Sequence, residues 1–184
     1  RVVARRLGLA YLDTGAMYRA LTWLAQQRAI PPSDAEALAA LARENPIEIE
    51  PTDDGDRVRV AGRDVTAEIR MPEVAAAVSE VSAHPGVREE VVAAQRAVLA
   101  RGSWVSDGRD VGTVVCPQAD LKVFLTASLE ERARRRRSDL ARRGVEVDEE
   151  QVREDVRRRD HWDSTRAVSP LRPADDAVVI DSSS

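Results

Sequence analysis

Lys122-Val123-Phe124-Leu125-Thr126-Ala127-Ser128-Leu129-Glu130-Glu131-Arg132-Ala133-Arg134-Arg135-Arg136 is the stretch on which the fold turns. It opens as a short apolar strand and passes into a helix over residues 130–143. The same alternation continues on both sides. Trp104-Val105-Ser106 reads as an earlier strand, residues 149–159 as a further helix, and Ala177-Val178-Val179-Ile180 as a final strand. Buried strands separated by helices predict a parallel sheet covered by helices. In such folds ligands gather at the carboxyl ends of the strands.

Working back toward residue 1, the pattern changes. Ile47-Glu48-Ile49-Glu50 and Arg57-Val58-Arg59-Val60 alternate with period two, and Asp53-Asp54-Gly55-Asp56 between them is a hairpin signal. A small antiparallel sheet is therefore inserted among helical segments. Those segments are a stretch with Met17, Ala20, Leu21 and Leu24 on one face, a helix opened by the capping-box spacing Ser33-Asp34-Ala35-Glu36, and two helices led by Pro72 and Pro85. Tyr11-Leu12 is a short extended piece. Residues 1–7 read as helix closed by Gly8, which makes further chain before Arg1 the expectation, and chain beyond Ser184 is expected likewise.

The 184 residues suffice for one core with a small inserted subdomain. No run approaches the roughly 18 apolar residues of a membrane span. A 3% aromatic content argues against a surface that stacks single-stranded bases, and the net charge of −4 argues against a general polyanion binder. The lone Cys116 excludes a disulfide framework and fits a reducing compartment, and two histidines, His84 and His161, are poor material for a metal cage. All but one of the 28 basic residues are arginine, the exception being Lys122. Codon bias accounts for the bulk of that imbalance, but local arginine clusters remain candidate phosphate sites, because a planar guanidinium clamps phosphate through paired hydrogen bonds.

Three polar segments follow predicted strands. Asp13-Thr14-Gly15-Ala16-Met17-Tyr18-Arg19 starts a helix whose free amides favour an anion, although Thr14 alone also reads as an N-cap. Asp107-Gly108-Arg109-Asp110-Val111-Gly112-Thr113 lets the backbone approach a ligand, or is a plain glycine turn with an ion pair. In Arg159-Asp160-His161-Trp162-Asp163-Ser164-Thr165-Arg166, residues 159 and 163 share a helix face with Arg166 at the next turn, which suits a ligand or an ordinary surface ion pair. Seven arginines crowd residues 132–143 with only Asp139 among them, so the run needs an anion or Glu130, Glu131 and Glu149 to offset its repulsion.

Taken jointly, LDTGAMYRAL at 12–21, DVTAEIR at 64–70, the Ser79-to-Arg88 region, SDGRDVGTVV at 106–115, KVFLTASLEERARRR at 122–136 and RDHWDSTRAVSPLRPADDAVVID at 159–181 resemble bacterial cytidylate kinase, a P-loop nucleoside monophosphate kinase. They occur in the family's order and cover nearly the whole chain. The resemblance implies an α/β P-loop kinase with a parallel sheet flanked by helices. A small antiparallel sheet is inserted within a nucleotide-monophosphate subdomain at about residues 30–100, and a helical lid lies at about residues 130–160. It implies transfer of the ATP γ-phosphoryl group to CMP or dCMP with Mg²⁺, by a cytoplasmic monomer that binds neither nucleic acid nor membrane. Thr14, Arg19, Arg109 and Arg166 are implied to grip the CMP phosphate. Ser79, Arg88 and Asp110 would read the cytosine edge, and Arg159 with Asp163 would hold the sugar hydroxyls. Arg132 and Arg136 would lie against ATP, with Arg109, Arg132, Arg136 and Arg166 as the catalytic cations, and Asp107 is a weaker candidate for the magnesium water shell. Where many family members have serine, Thr14 keeps the hydroxyl.

One departure is large. No G-x-x-x-x-G-K-[ST] run occurs, and Lys122 opens a strand with no glycine loop before it. The expectation is that roughly 15 residues, a strand and its loop, precede Arg1, and that the family's last helix follows Ser184. Two rivals follow from the same residues. One is an arginine-rich nucleic-acid-binding module on a degenerate kinase fold, and the other is a kinase for another acceptor such as UMP or shikimate.

Overall fold

Apolar side chains occupy almost every face of residues 14–27, so a helix formed there has to be surrounded. In the computed structural model, which describes residues 1–52, 56–142 and 144–183, it is. The chain runs through α1 (Val2–Leu7), β1 (Ala10–Asp13), α2 (Thr14–Gln27), α3 (Ala35–Glu44), β2 (Ile47–Glu50), β3 (Arg57–Val60) and β4 (Arg63–Asp64). After a 3-10 turn at Glu68–Arg70 come α4 (Pro72–Val81), α5 (Pro85–Leu99) and β5 (Trp104–Asp107). A wide π-type turn at Val111–Val115 leads to β6 (Val123–Thr126), α6 (Leu129–Ala141), α7 (Glu149–Thr165) and β7 (Val178–Asp181).

Helix α2 is the centre of the core. Met17, Ala20 and Leu21 are fully buried, and α3, α4, α5, β3 and the 3-10 turn pack around them through Leu38, Ile69, Val74, Val78, Val87, Val91, Val58 and Val60. The inserted sheet earns its place by alternation: Val58 and Val60 point into the core while Arg57 and Arg59 face water. It pairs antiparallel, Ile47 opposite Val60 and Glu50 opposite Arg57, and gains a third strand, β4, that the sequence pattern did not announce. Most of the predicted hairpin turn, Asp53 to Gly55, lies outside the described residues, as do Arg143 and Ser184.

Both predicted caps shift by one residue. Asp13, not Thr14, caps α2 by accepting from the Ala16 amide at 3.0 Å, and Asp34, not Ser33, caps α3 by accepting from Ala37 at 3.0 Å. In each case the carboxylate is the stronger acceptor of the two neighbours. Helix α7 runs through Thr165, six residues beyond the predicted end, which puts Arg159 and Asp163 in one helix with Arg166 as its C-cap. Gly8 closes α1 in the left-handed conformation at φ 66°, as its position predicts.

The parallel strands form two pairs, β1 with β5 and β6 with β7, rather than the single continuous ladder the alternation suggests. A cavity of about 950 Å³ is lined by the carboxyl end of β5 and by β6, so the cleft is shared by the two pairs. Val123, Leu125, Val178, Val179 and Ile180 stay exposed on the second pair, where burial was expected.

Truncating Leu21, fully buried at the middle of α2, is expected to cost about 3 kcal/mol through lost burial and the cavity left behind. Urea unfolding of Leu21→Ala followed by circular dichroism checks this; an unchanged midpoint would remove α2 from the centre of the core.

Candidate active site

The cleft is assembled at strand ends. Asp13 and Asp107 close β1 and β5 as register partners, so two carboxylates lie side by side at the mouth of the parallel pair. Asp13 is engaged twice, by the Ala16 amide and by Arg19 Nη2 at 2.7 Å. Asp107 accepts from the Tyr11 hydroxyl at 2.6 Å. Burial lifts the Asp107 carboxyl above the ordinary aspartate range, the Tyr11 hydrogen bond opposes that, and the Asp13 charge adds to it. Burial and the same carboxylate push the Tyr11 phenol up.

A tight splice joins β5 to α2. Thr14 Oγ1 donates to the Asp107 carbonyl at 2.8 Å, and Gln95 Nε2, buried in α5, donates to the Thr14 carbonyl at 3.3 Å. Gly108 makes the approach possible, since a Cβ there would fall 2.1 Å from Thr14 Oγ1 and 2.9 Å from Val111 Cγ2. The following segment is no plain glycine turn. Its backbone winds into the π-type turn, with the Cys116 amide donating to the Val111 carbonyl at 2.7 Å and the Val115 amide to the Asp110 carbonyl at 3.3 Å. That turn pulls Asp110 inward, where it meets Arg88 of α5 in an ion pair buried on both sides. Arg88 also donates to the Ser82 carbonyl at 3.1 Å.

Three arginines converge on one carboxylate. Asp163 of α7 lies 3.2 Å from Arg109 Nε, 3.8 Å from Arg159 Nε and 3.7 Å from Arg166 Nη1. Arg166 is fixed further by Nε donating to the Ser169 carbonyl at 2.6 Å. Burial first, and then the neighbouring positive charge, holds Arg159 and Arg166 below the ordinary guanidinium value; for Arg159 that neighbour is Arg109, and for Arg166 it is Arg88. Both stay cationic at neutral pH. The cluster thus carries two positive charges that its own carboxylate does not offset.

Buried polar atoms are nearly always satisfied in folded proteins. Among the described residues seven side chains hold a buried polar atom without a hydrogen-bond partner, and four of them line this cavity: Tyr18, Arg88, Asp163 and Arg166. Their concentration in one cleft marks it as a place completed by a polar ligand.

The cavity wall contains Thr14, Arg19, Ser79, Arg88, Arg109, Asp110, Arg132, Arg159, Asp163 and Arg166 from the sequence analysis, together with Asp107. Arg136 is not on the wall, although its charge bears on Arg159. Arg132 is not presented free: it pairs with Asp160 of α7 and donates to the Ala127 carbonyl at 3.0 Å. Asp160 and Tyr18 were missed; their positions in the quoted motifs were visible, but a partner 28 residues away and an orphaned hydroxyl were not. The basic run on α6 is largely offset by acids. Arg134 and Arg135 share Glu131, whose carboxyl their hydrogen bonds hold down at about 2, Arg137 meets Glu149 and Arg142 meets Asp139. Glu130 instead lies 3.7 Å from Arg153. Lys122 Nζ donates to both Asp176 oxygens, at 2.8 and 2.7 Å.

Comparison with known proteins gives a consistent result. The profile of the family described as cytidylate kinase matches residues 1–184. A cytidylate kinase of Geobacillus sp. (strain WCH70) is 48% identical over 184 residues, covering all of this chain and 82% of the relative. One from Enterococcus faecalis is 48% identical over 181 residues, covering 98% of this chain and 80% of the relative. A bifunctional pantoate ligase/cytidylate kinase of Prochlorococcus marinus (strain MIT 9303) is 50% identical over 182 residues, covering 98% of this chain and 37% of that longer protein.

Gly108→Ala must displace Thr14 and break its bond to Asp107, and is expected to lower stability by about 2 kcal/mol. Gly102→Ala, with nothing within 4 Å of the added Cβ, serves as the control and should leave the melting temperature nearly unchanged. Equal melting temperatures for the two variants would refute the splice.

Proposed function

We propose, from the premise that this chain belongs to the cytidylate kinase family, that the arginine cluster on Asp163 and the Arg88–Asp110 pair are the two halves of its CMP site. Family membership makes the chain a nucleoside monophosphate kinase that phosphorylates CMP and dCMP, and implies a P-loop fold and ATP as donor. The observation that carries the residue assignment is the set of three guanidiniums on a single carboxylate, an under-neutralised cluster suited to a dianionic phosphate.

In this reading Arg19, Arg109 and Arg166 take the monophosphate, joined by Thr14 as its hydroxyl exchanges the Asp107 carbonyl for a phosphate oxygen. Arg88 and Asp110, with Ser79 beside them on the wall, read the cytosine edge. A carboxylate accepts from the exocyclic amino group of cytosine and meets the uracil carbonyl with repulsion. Arg159 and Asp163 face the sugar hydroxyls. Helices α6 and α7 form the lid over the second nucleotide, with Arg132 exchanging Asp160 for a donor phosphate and Arg136 entering the wall as they close. Residues from about 30 to 100 form the monophosphate subdomain. The pairing of the α6 arginines with acids argues against a bare basic face for nucleic acid.

The chemistry asks little covalent work of the protein. A phosphate oxygen of CMP attacks the γ-phosphorus of ATP, the β–γ bridging P–O bond breaks, and ADP departs with the electron pair. The acceptor oxygen is already a nucleophile, so the chain supplies alignment, positive charge and exclusion of water. Mg²⁺ neutralises donor charge when bound, and it typically keeps several waters and few carboxylates. The paired strand-end carboxylates fit such an outer-sphere contact, because a cation favours the charged form of Asp107 against the burial, and secondarily the Asp13 charge, that lift its carboxyl.

A coupled ADP-release assay on the full-length protein across CMP, dCMP, UMP and AMP should show fast turnover with CMP and dCMP alone. Equal rates with AMP would contradict the base assignment. Arg109→Ala is expected to lower kcat about 10²–10³-fold, the scale of a lost transition-state contact; unchanged turnover would remove Arg109 from the site. Asp110→Asn should narrow the gap between CMP and UMP.

A further inference from the structure

Tyr18 has no role in the reaction as derived above, yet it stands one turn along α2 from Thr14 and lines the same cavity. The residue is only 6% exposed, and its hydroxyl is buried without a hydrogen-bond partner among the described residues. Such an orphan is costly, because a buried tyrosine hydroxyl ordinarily finds an acceptor. The Arg88 guanidinium carbon lies 5.3 Å from the Tyr18 ring centroid, so the ring also carries one of the two base-edge residues.

The chemistry of the surroundings narrows what the hydroxyl can meet. Burial pushes the phenol up to about 12, with the Asp110 charge adding to this and the Arg88 and Arg166 charges opposing it, so the group is a neutral donor at physiological pH. Arg88 and Arg166 have only donors to offer, and the hydroxyl makes no hydrogen bond to the Asp110 carboxylate, whose second oxygen is left for the base. The protein therefore presents an O–H with no acceptor of its own, next to the base-edge pair. A pyrimidine offers an acceptor there in its ring carbonyl, which cytosine and uracil share.

We propose that the Tyr18 hydroxyl donates a hydrogen bond to the ring carbonyl of the bound pyrimidine, recognising the pyrimidine class while Asp110 separates cytosine from uracil. This assignment rests on the nucleotide reading of the cleft. Two consequences distinguish it from a structural role. Removing the hydroxyl weakens CMP and UMP by the same factor, leaving their ratio intact, and it costs the unliganded protein nothing, since no internal hydrogen bond is lost.

Tyr18→Phe keeps the ring and its contact with Arg88, and isothermal titration of the full-length protein with CMP, UMP and ribose 5-phosphate reads the effect. The expected result is a Kd about tenfold higher for CMP and for UMP, no change for ribose 5-phosphate, and an unliganded melting temperature equal to or above wild type. An unchanged CMP Kd, with wild type preferring CMP over ribose 5-phosphate, overturns the assignment of Tyr18 alone. So does equal weakening of all three ligands, whether or not the melting temperature falls. Wild-type protein that binds CMP no better than ribose 5-phosphate overturns the nucleotide reading of the cleft, and the Tyr18 proposal with it.

Discussion

The carboxylate of Asp163 faces the guanidinium groups of Arg109, Arg159 and Arg166, and this unequal grouping is the constraint around which the cleft is organised. It ties the loop after β5 to the end of α7 and to the C-cap that follows. The Asp163 carbonyl extends the link by accepting from the Leu171 amide at 2.7 Å. Three like charges held this close repel one another, and one carboxylate does not cancel them. An anion of charge near −2 does, so this under-neutralised cluster, with Asp163 and Arg166 buried and Arg109 and Arg159 partly exposed, suits a protein that binds a phosphate monoester.

The same logic of offset charge separates the rigid parts of the site from the movable ones. Arg88 and Asp110 are both buried, and breaking such a pair by removing one partner costs about 3–5 kcal/mol, so the residues proposed to read the base are fixed in advance. The Arg132–Asp160 pair is partly solvent-exposed on both sides, so exchanging Asp160 for a phosphate costs far less than breaking the buried pair. On the proposed reading, a preformed acceptor half and an exchangeable lid half suit a phosphoryl transfer that must exclude water only when both nucleotides are present.

Much of this was legible in the sequence because it is local. Strand-to-helix alternation, the antiparallel insert and the i,i+4 spacing of Arg159 and Asp163 need only short-range periodicity, and the structure has the corresponding elements. What was not legible depends on contacts across long separations. The Thr14 hydroxyl, open to reading as a cap, donates to a carbonyl 93 residues away. Arg132, expected against ATP, pairs with Asp160, 28 residues distant. The π-type turn that buries Asp110 has no sequence signature beyond its glycines, and an orphaned hydroxyl such as that of Tyr18 is defined by what fails to surround it.

Reception of the acceptor phosphate by the Asp163 cluster is tested by side-chain NMR of the arginine Nε–Hε groups during titration with CMP and with cytidine. CMP should shift the signals of Arg109, Arg159 and Arg166 together, while cytidine at matched occupancy leaves the Arg109 and Arg166 signals in place. CMP that binds without moving Arg109 or Arg166, or cytidine that moves them equally, would contradict it.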